Sequence, residues 1–329
     1  MRNIRKIFVR AAAVLVFLFV LESTVRFLYE PYNTYSILST EEYEELKGTL
    51  DTLFVGSSHS YFAFDPQLFD ERMGTNSFNL ASGAQPLFMS YQLVREGIEI
   101  NPIKNVVLGI SFSSLLKNED DNSVLGGYDR LITLRGKIRM LLEDTDDNRR
   151  LHELFYSTRV DNWFDFSAVA ENVRHKLSDT YREEVLAMDD NEYGYRGYWY
   201  SENIFNGQRN TDENRGYNVW DESKVKDINL EYLIKIMELC RDEGINLRIV
   251  ILPVTQAFLD YAGDYEAMHD YYAKLADEYG AELYDCINYD NRAEDFPNEY
   301  FRDTSHLNRT GSQAFGNLLV DWIKEREGI

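Results

Sequence analysis

Five short apolar runs, each closed by a glycine, a proline or a polar turn, constrain the fold of this 329-residue chain more than any other feature. They are Thr52–Val55 ending at Gly56, Ser77–Leu80, Asn105–Ile110, Leu247–Leu252 stopped by Pro253, and Glu282–Asp285. Helical patterns over Tyr91–Ile98, Ile228–Glu243 and Tyr265–Tyr279 precede the last three, and a final helix covers Arg309–Arg326. On the second of these helices Leu230, Leu233, Ile234 and Met237 share one face; on the last, Phe315, Leu318, Leu319 and Trp322 face inward. Short apolar strands alternating with helices imply a parallel sheet covered on both sides. The expected fold is α/β, a three-layer α/β/α sandwich with functional residues at the carboxyl ends of its strands.

The alternation stops between about residues 113 and 223. Amphipathic helical patterns occupy Leu131–Leu142, Asn148–Phe155 and Phe166–Leu177, followed by a polar, aromatic loop from Asp190 to Trp220. An insertion of this length inside a compact domain suggests a lid or subdomain. The amino end differs again. Arg2, Arg5, Lys6 and Arg10 precede an uninterrupted apolar run, Ala11–Leu21, after which acids begin at Glu22. That charge order keeps an amino end in the cytoplasm. Counting Ile7–Val9, with Arg10 snorkelling, brings the run close to the roughly 20 residues of a spanning helix. Residues 1–24 are therefore read as an uncleaved, single-pass membrane anchor, with a cleaved signal or an amphipathic core helix as alternatives. Residues 25–50 form a connector with acids at Glu41, Glu42, Glu44 and Glu45, and 51–329 the α/β domain, placed outside the cytoplasm.

Composition excludes several function classes. Lys+Arg number 34 against 56 Asp+Glu, a formal net charge of −22 that repels phosphate backbones and argues against nucleic-acid binding. Two cysteines and five histidines are too few for a structural zinc site or a disulfide scaffold. No metal or cofactor is expected. Cys240 and Cys286 read as buried thiols, although sequence leaves a bridge between them open.

Two motifs carry chemistry. Gly56-Ser57-Ser58-His59-Ser60 follows the first strand, where a glycine permits a tight turn that exposes a hydroxyl. A serine hydroxyl needs a base to become a nucleophile. Near the carboxyl end, Asp303-Thr304-Ser305-His306 precedes the last helix, a spacing that lets the carboxylate hold one imidazole nitrogen and leave the other free. Alone, Gly-Ser-Ser is an ordinary turn, and Asp-x-x-His is more often a helix cap in which Asp303 or Ser305 accepts backbone amides. Together they supply Ser, Asp and His in the chain positions this fold would need.

In these two blocks the chain resembles the SGNH/GDSL-type hydrolases, a superfamily of serine esterases and acyl-group enzymes. The anchored Gly-Ser-Ser form is similar to the D-alanyl-transfer proteins of teichoic-acid modification and to anchored polysaccharide O-acetylation proteins. The resemblance covers about residues 50–112 and 225–327. It implies Ser58 as nucleophile, His306 as base and Asp303 as its orienting acid. It implies an oxyanion hole from the Ser58 and Gly83 backbone amides, within Asn79-Leu80-Ala81-Ser82-Gly83-Ala84. The family's third block, typically Leu-Gly-x-Asn, reads Leu108-Gly109-Ile110-Ser111, so Ser111 stands where the family has asparagine. Losing such a donor typically costs about 2.7–4 kcal/mol of barrier.

The expected function is hydrolysis or O-acyl transfer on an acylated polysaccharide or cell-wall polymer, with a multispanning membrane acyltransferase as partner. The rivals are an inactive accessory protein, favoured by Ser111, and a glycan-binding module. His59 reads as a substrate contact or a helix-start residue. Trp199, with Tyr193, Tyr195, Tyr198, Tyr200 and Trp220, reads as a sugar-stacking platform or as a loop anchored by its own aromatics. His152, His175 and His269 read as surface residues.

Overall fold

A computed structural model describes residues 2–32, 35–181, 183, 191–207, 216–287 and 296–329. In chain order its helices and strands are α1 (Arg2–Tyr29), α2 (Tyr35–Glu45), β1 (Thr52–Gly56), α3 (Ser58–Ala63), α4 (Pro66–Met73), β2 (Ser77–Asn79), α5 (Leu87–Ile100) and β3 (Asn105–Ile110). The insertion adds α6 (Asp121–Arg130), α7 (Leu134–Glu143), α8 (Asp147–Leu154), α9 (Phe166–Lys176), β4 (Asn191–Tyr195) and β5 (Tyr198–Ser201). Then come α10 (Asp227–Asp242), β6 (Asn246–Ile251), α11 (Gln256–Leu259), α12 (Tyr265–Tyr279), β7 (Glu282–Asp285) and α13 (Arg309–Glu327). The chain divides into two compact units, Met1–Tyr35 with Ile138–Met188, and Ser36–Lys137 with Asp189–Ile329. The middle of the insertion falls in the smaller unit with α1.

The larger unit is the α/β sandwich. Among the described residues its main sheet has five strands, all parallel, in the order β2-β1-β3-β6-β7. Register places Phe54 beside Val107, and Val250 beside Tyr284. These side chains meet Phe64, Phe69, Phe315 and Leu319 from α4, α13 and the end of α3 in one buried cluster. Phe54 stacks on Phe64 at 5.0 Å and meets Phe69 edge-on at 5.1 Å. Each such side chain contributes about 1.5–3 kcal/mol by leaving water. Helix α13 buries Val320 and Ile323 besides the expected Phe315, Leu319 and Trp322, while Leu318 is half-buried. Wedged against α3 and α4, α13 has a buried arc wider than one stripe. On α10, Leu233 and Met237 are buried, but Leu230 and Ile234 only partly so. Arg248 lies in the sheet, 2.8 Å from Glu282 and 2.5 Å from Glu327, which compensates its burial.

The hairpin β4–β5 buries Trp199, 7% exposed, against Tyr193 at 5.1 Å. Trp220 is likewise buried, beside Tyr271 and Tyr272. Of the two readings of Trp199, the stacking platform is corrected in favour of a loop anchored by its own aromatics: the ring packs inward because the hairpin needs an apolar face. Asp190 and residues 208–215 of that loop lie outside the described residues. Cys240 and Cys286 are buried thiols that are not joined in a disulfide. His269 is also corrected: its Nδ1 is 2.7 Å from the buried Asp285, so it is half-buried and partnered rather than a plain surface residue.

The smaller unit packs α1 with α9 and the 3₁₀ turn Tyr156–Arg159. Glu22 accepts hydrogen bonds from the Ser157 amide (2.9 Å) and hydroxyl (2.7 Å). Beyond Glu22, toward the amino end, large apolar side chains stand exposed on every face, Phe8 at 71% and Phe19 at 73%. Among the described residues no helix is long and apolar enough to cross a membrane. The uninterrupted run is Ala11–Leu21, and Arg10 and Glu22 bound it. The expected spanning helix over 1–24 is thus not found as such; α1 is one continuous helix to Tyr29.

Gly56 ends β1 with φ +139°, and a Cβ there would lie 2.2 Å from Ser60 Oγ and 2.6 Å from the Gly109 carbonyl oxygen. Gly56→Ala is therefore expected to lower stability by at least about 2 kcal/mol. Urea unfolding followed by circular dichroism measures this, and an unchanged midpoint would contradict the packing described.

Candidate active site

Strand order reverses between β1 and β3, and the crevice beyond their carboxyl ends is where such sheets leave room for a ligand. A cavity of about 350 Å³ opens there. Ser58 enters it from the first turn of α3, directly after the Gly56–Ser57 turn. His306 and Asp303 enter it from the loop before α13. Three contacts fix that loop. The Thr255 amide (3.0 Å) and hydroxyl (2.8 Å) donate to the Thr304 carbonyl, just past β6. Asn308 accepts from the Gly311 amide as the cap of α13. Its amide nitrogen donates to the Glu299 carbonyl at 2.7 Å.

Ser58 Oγ lies 2.8 Å from His306 Nε2, and His306 Nδ1 lies 2.9 Å from Asp303 Oδ2. A carboxylate accepts only, so Nδ1 carries the proton and Nε2 is left to accept from the serine hydroxyl. Asp303 also accepts from the amides of Ser305 (2.9 Å) and His306 (2.8 Å). The cap reading and the imidazole-holding reading of Asp303 therefore both describe its contacts, while Asn308 rather than Asp303 caps the helix. Burial pushes the Asp303 carboxyl upward. The His306 charge, its hydrogen bond and the two amides outweigh this and hold Asp303 well below the usual carboxylate range.

His59 lines the same cavity, with Nδ1 3.3 Å from Ser57 Oγ. Burial and the nearby His306 charge lower its pKa to about 3, so its ring is neutral in ordinary buffers. Ser111 also lines the cavity; its hydroxyl lies 3.1 Å from Ser113 Oγ and 3.3 Å from Ser114 Oγ. The segment after β2 reaches the cavity through Ala84, Gln85 and Pro86. Ala84, next to Gly83, takes φ +50° and turns the backbone at that point. Arg130, buried in α6, holds this segment by donating to the carbonyls of Ala81 (2.5 Å) and Asn79 (3.3 Å). Lys117, Asn118 and Asn229 complete a polar wall that sequence reasoning did not assign. Three serines within four positions after β3, Ser111, Ser113 and Ser114, were the available signal for it.

A carboxyl held low in the folded state stabilises that state above the ordinary carboxylate pKa of about 3.9 and ceases to do so as pH falls through the folded value. The stability difference between wild type and Asp303→Asn is therefore expected to be largest near neutrality and to shrink from about pH 5 downward. Denaturant titrations at several pH values measure it, and a difference that stays flat would exclude the lowered Asp303 carboxyl as its source.

Comparison with known proteins gives one family. The family model described as DltD protein matches residues 103–315. No curated protein matches the chain. The matched stretch contains Ser111, Asp303 and His306 and begins after Ser58. With well over half its length matched, the chain belongs to the DltD protein family, membrane-associated SGNH-like proteins of D-alanyl-lipoteichoic acid biosynthesis.

Proposed function

We propose that the chain is an extracytoplasmic serine acyl-ester enzyme, a hydrolase or O-acyltransferase, acting on a teichoic-acid-like polymer or a related acylated cell-envelope glycan. The observation that carries this reading is the continuous relay from Ser58 Oγ through His306 to Asp303, at 2.8 and 2.9 Å. In the proposed reaction Ser58 Oγ attacks the acyl carbonyl as its proton passes to His306 Nε2. Asp303 stabilises the resulting imidazolium and keeps Nδ1 protonated. The Ser58 amide, the backbone of the Gly83–Ala84 turn and the Ser111 hydroxyl are the proposed donors to the oxyanion. Collapse returns the proton to the leaving alcohol and leaves an acyl-serine. Water or a second hydroxyl then attacks, again deprotonated by His306, and Ser58 is released.

Membrane attachment is assigned to α1. A helix apolar on every face is unstable in water and needs lipid or protein around it. The basic residues ahead of Ala11 would stay at the cytoplasmic side. A multispanning acyltransferase is the proposed partner, able to hand over or receive the acyl group.

One observation favours an inactive accessory role. Ser111 replaces the family's asparagine, and its hydroxyl is within reach of two other serines rather than directed by a rigid amide.

The two readings part on Ser58. Fluorophosphonate labelling and aryl-acetate hydrolysis are expected in wild type and absent in Ser58→Ala. Ser111→Ala is expected to slow both by about 10- to 100-fold, less than the loss of a rigid amide donor. An intact, unlabelled wild type would favour the accessory reading. For α1, the pair Leu15→Lys and Phe19→Lys in the full chain is expected to shift it from the membrane pellet to the supernatant. Unaltered partitioning would remove α1 as the attachment.

A further inference from the structure

The ring of His59 lies nearly parallel to that of His306, with centroids 4.3 Å apart and 21° between planes. Phe62 meets the same His306 ring edge-on, at 5.6 Å and 68°. Arg302 in turn covers Phe62 at 4.6 Å. The His306 ring thus has aromatic neighbours on its flanks, in addition to hydrogen bonds at both nitrogens. His59 itself is held loosely by polar contacts. Among the described residues its Nδ1 has only the 3.3 Å contact with Ser57, and its buried Nε2 has no hydrogen-bond partner. An unmet buried nitrogen is a cost. A leucine would fill space there without it, so the retained imidazole needs a reason in the ring face.

We propose that His59 is a positioning residue for His306: its stacked ring keeps the base in line between Ser58 and Asp303 while the proton moves. The inference rests on the reading of Ser58, His306 and Asp303 as nucleophile, base and orienting acid. When His306 takes the serine proton it becomes a cation beside the His59 ring. A neutral aromatic face attracts such a cation, whereas a second imidazolium would repel it. The low basicity of His59 keeps its ring in the attractive form. Asp303 and Arg302, on the loop before α13, are the other charged groups at the pair, and Lys117 faces the cavity from the segment after β3.

The full-length chain with His59→Ala and His59→Phe gives the test. The first readout is the second-order rate of fluorophosphonate labelling from pH 5 to 9. The second is the titration of the His306 ring proton by NMR, assigned with His306→Asn among five histidines. His59→Ala is expected to slow labelling by about 10- to 100-fold, the cost of a base displaced by about 1 Å, and to shift the His306 titration. His59→Phe keeps the ring and removes both nitrogens; it is expected to recover labelling to within about threefold. It is also expected to leave the His306 titration near its wild-type position. Normal labelling in His59→Ala would overturn the proposal. So would a His59→Phe variant as slow as His59→Ala, because the loss would then belong to a nitrogen contact. If wild type fails to label at all, the catalytic reading falls, and the NMR titrations of the two variants still decide whether the ring positions His306.

Discussion

The hydrogen bond between Ser58 and His306 joins residues 248 positions apart, and the site exists only because the sheet brings those two loops to one edge. Asp303 holds the His306 ring from within its own loop, but nothing local to either segment brings Ser58 and His306 together. Ser58 depends on the turn at Gly56, where a side chain would collide with Gly109 on the neighbouring strand. His306 depends on a loop tied to the segment past β6 through Thr255 and to α13 through Asn308. A parallel sheet fixes the ends of β1, β3 and β6 relative to one another within one register. A 2.8 Å contact between distant loops is therefore a property of the sheet rather than of either loop.

The same frame explains why the cavity has its polar character. Residues that leave β3 at its carboxyl end must satisfy their backbone groups without a sheet partner. The Ser111 amide does so with Ser114 Oγ at 2.9 Å. Hydroxyls recruited for that purpose line the cavity as a consequence. The segment after β2 reaches the cavity anchored by Arg130, whose guanidinium donates to two carbonyls just upstream of the left-handed Ala84. Arg130 comes from the insertion, so part of the insertion shapes the site floor instead of merely covering it.

Strand and helix limits were legible wherever one periodicity dominated. Tyr265–Tyr279 and Asn105–Ile110 fall where the apolar spacing and the Gly280 stop put them. The short helices α3 and α4 were not legible, since six or eight residues give too few turns for a pattern. The hairpin β4–β5 was missed because its aromatics read equally well as a binding surface. Tyr193, which packs on Trp199, is tied to α2, where Glu42 accepts from the Tyr193 hydroxyl and the Arg196 amide, and no local pattern encodes that. Asp-x-x-His and Gly-Ser-Ser could be paired from sequence because their order matches a known arrangement. The stacking of His59 on His306 could not be, since ring orientation is settled only by packing across the two loops.

Whether acyl transfer outruns hydrolysis in such a site turns on how an acceptor hydroxyl is held. Water needs no binding contacts to reach an acyl-serine in a cavity with an open polar mouth. An acceptor competes only if the wall fixes its hydroxyl near His306, and well-oriented intramolecular reactions reach effective molarities of about 10⁵–10⁸ M. Ser113, Ser114, Asn118 and Asn229 present hydroxyls and amides on that wall, groups that pair with a polyol, beside apolar surface from Ala84, Pro86 and Tyr217. On the proposed reading, those polar groups are the ones available to hold an acceptor hydroxyl. On the proposed chemistry, the balance between transfer and hydrolysis is set by contacts to the acceptor, while Ser58, His306 and Asp303 serve both outcomes alike.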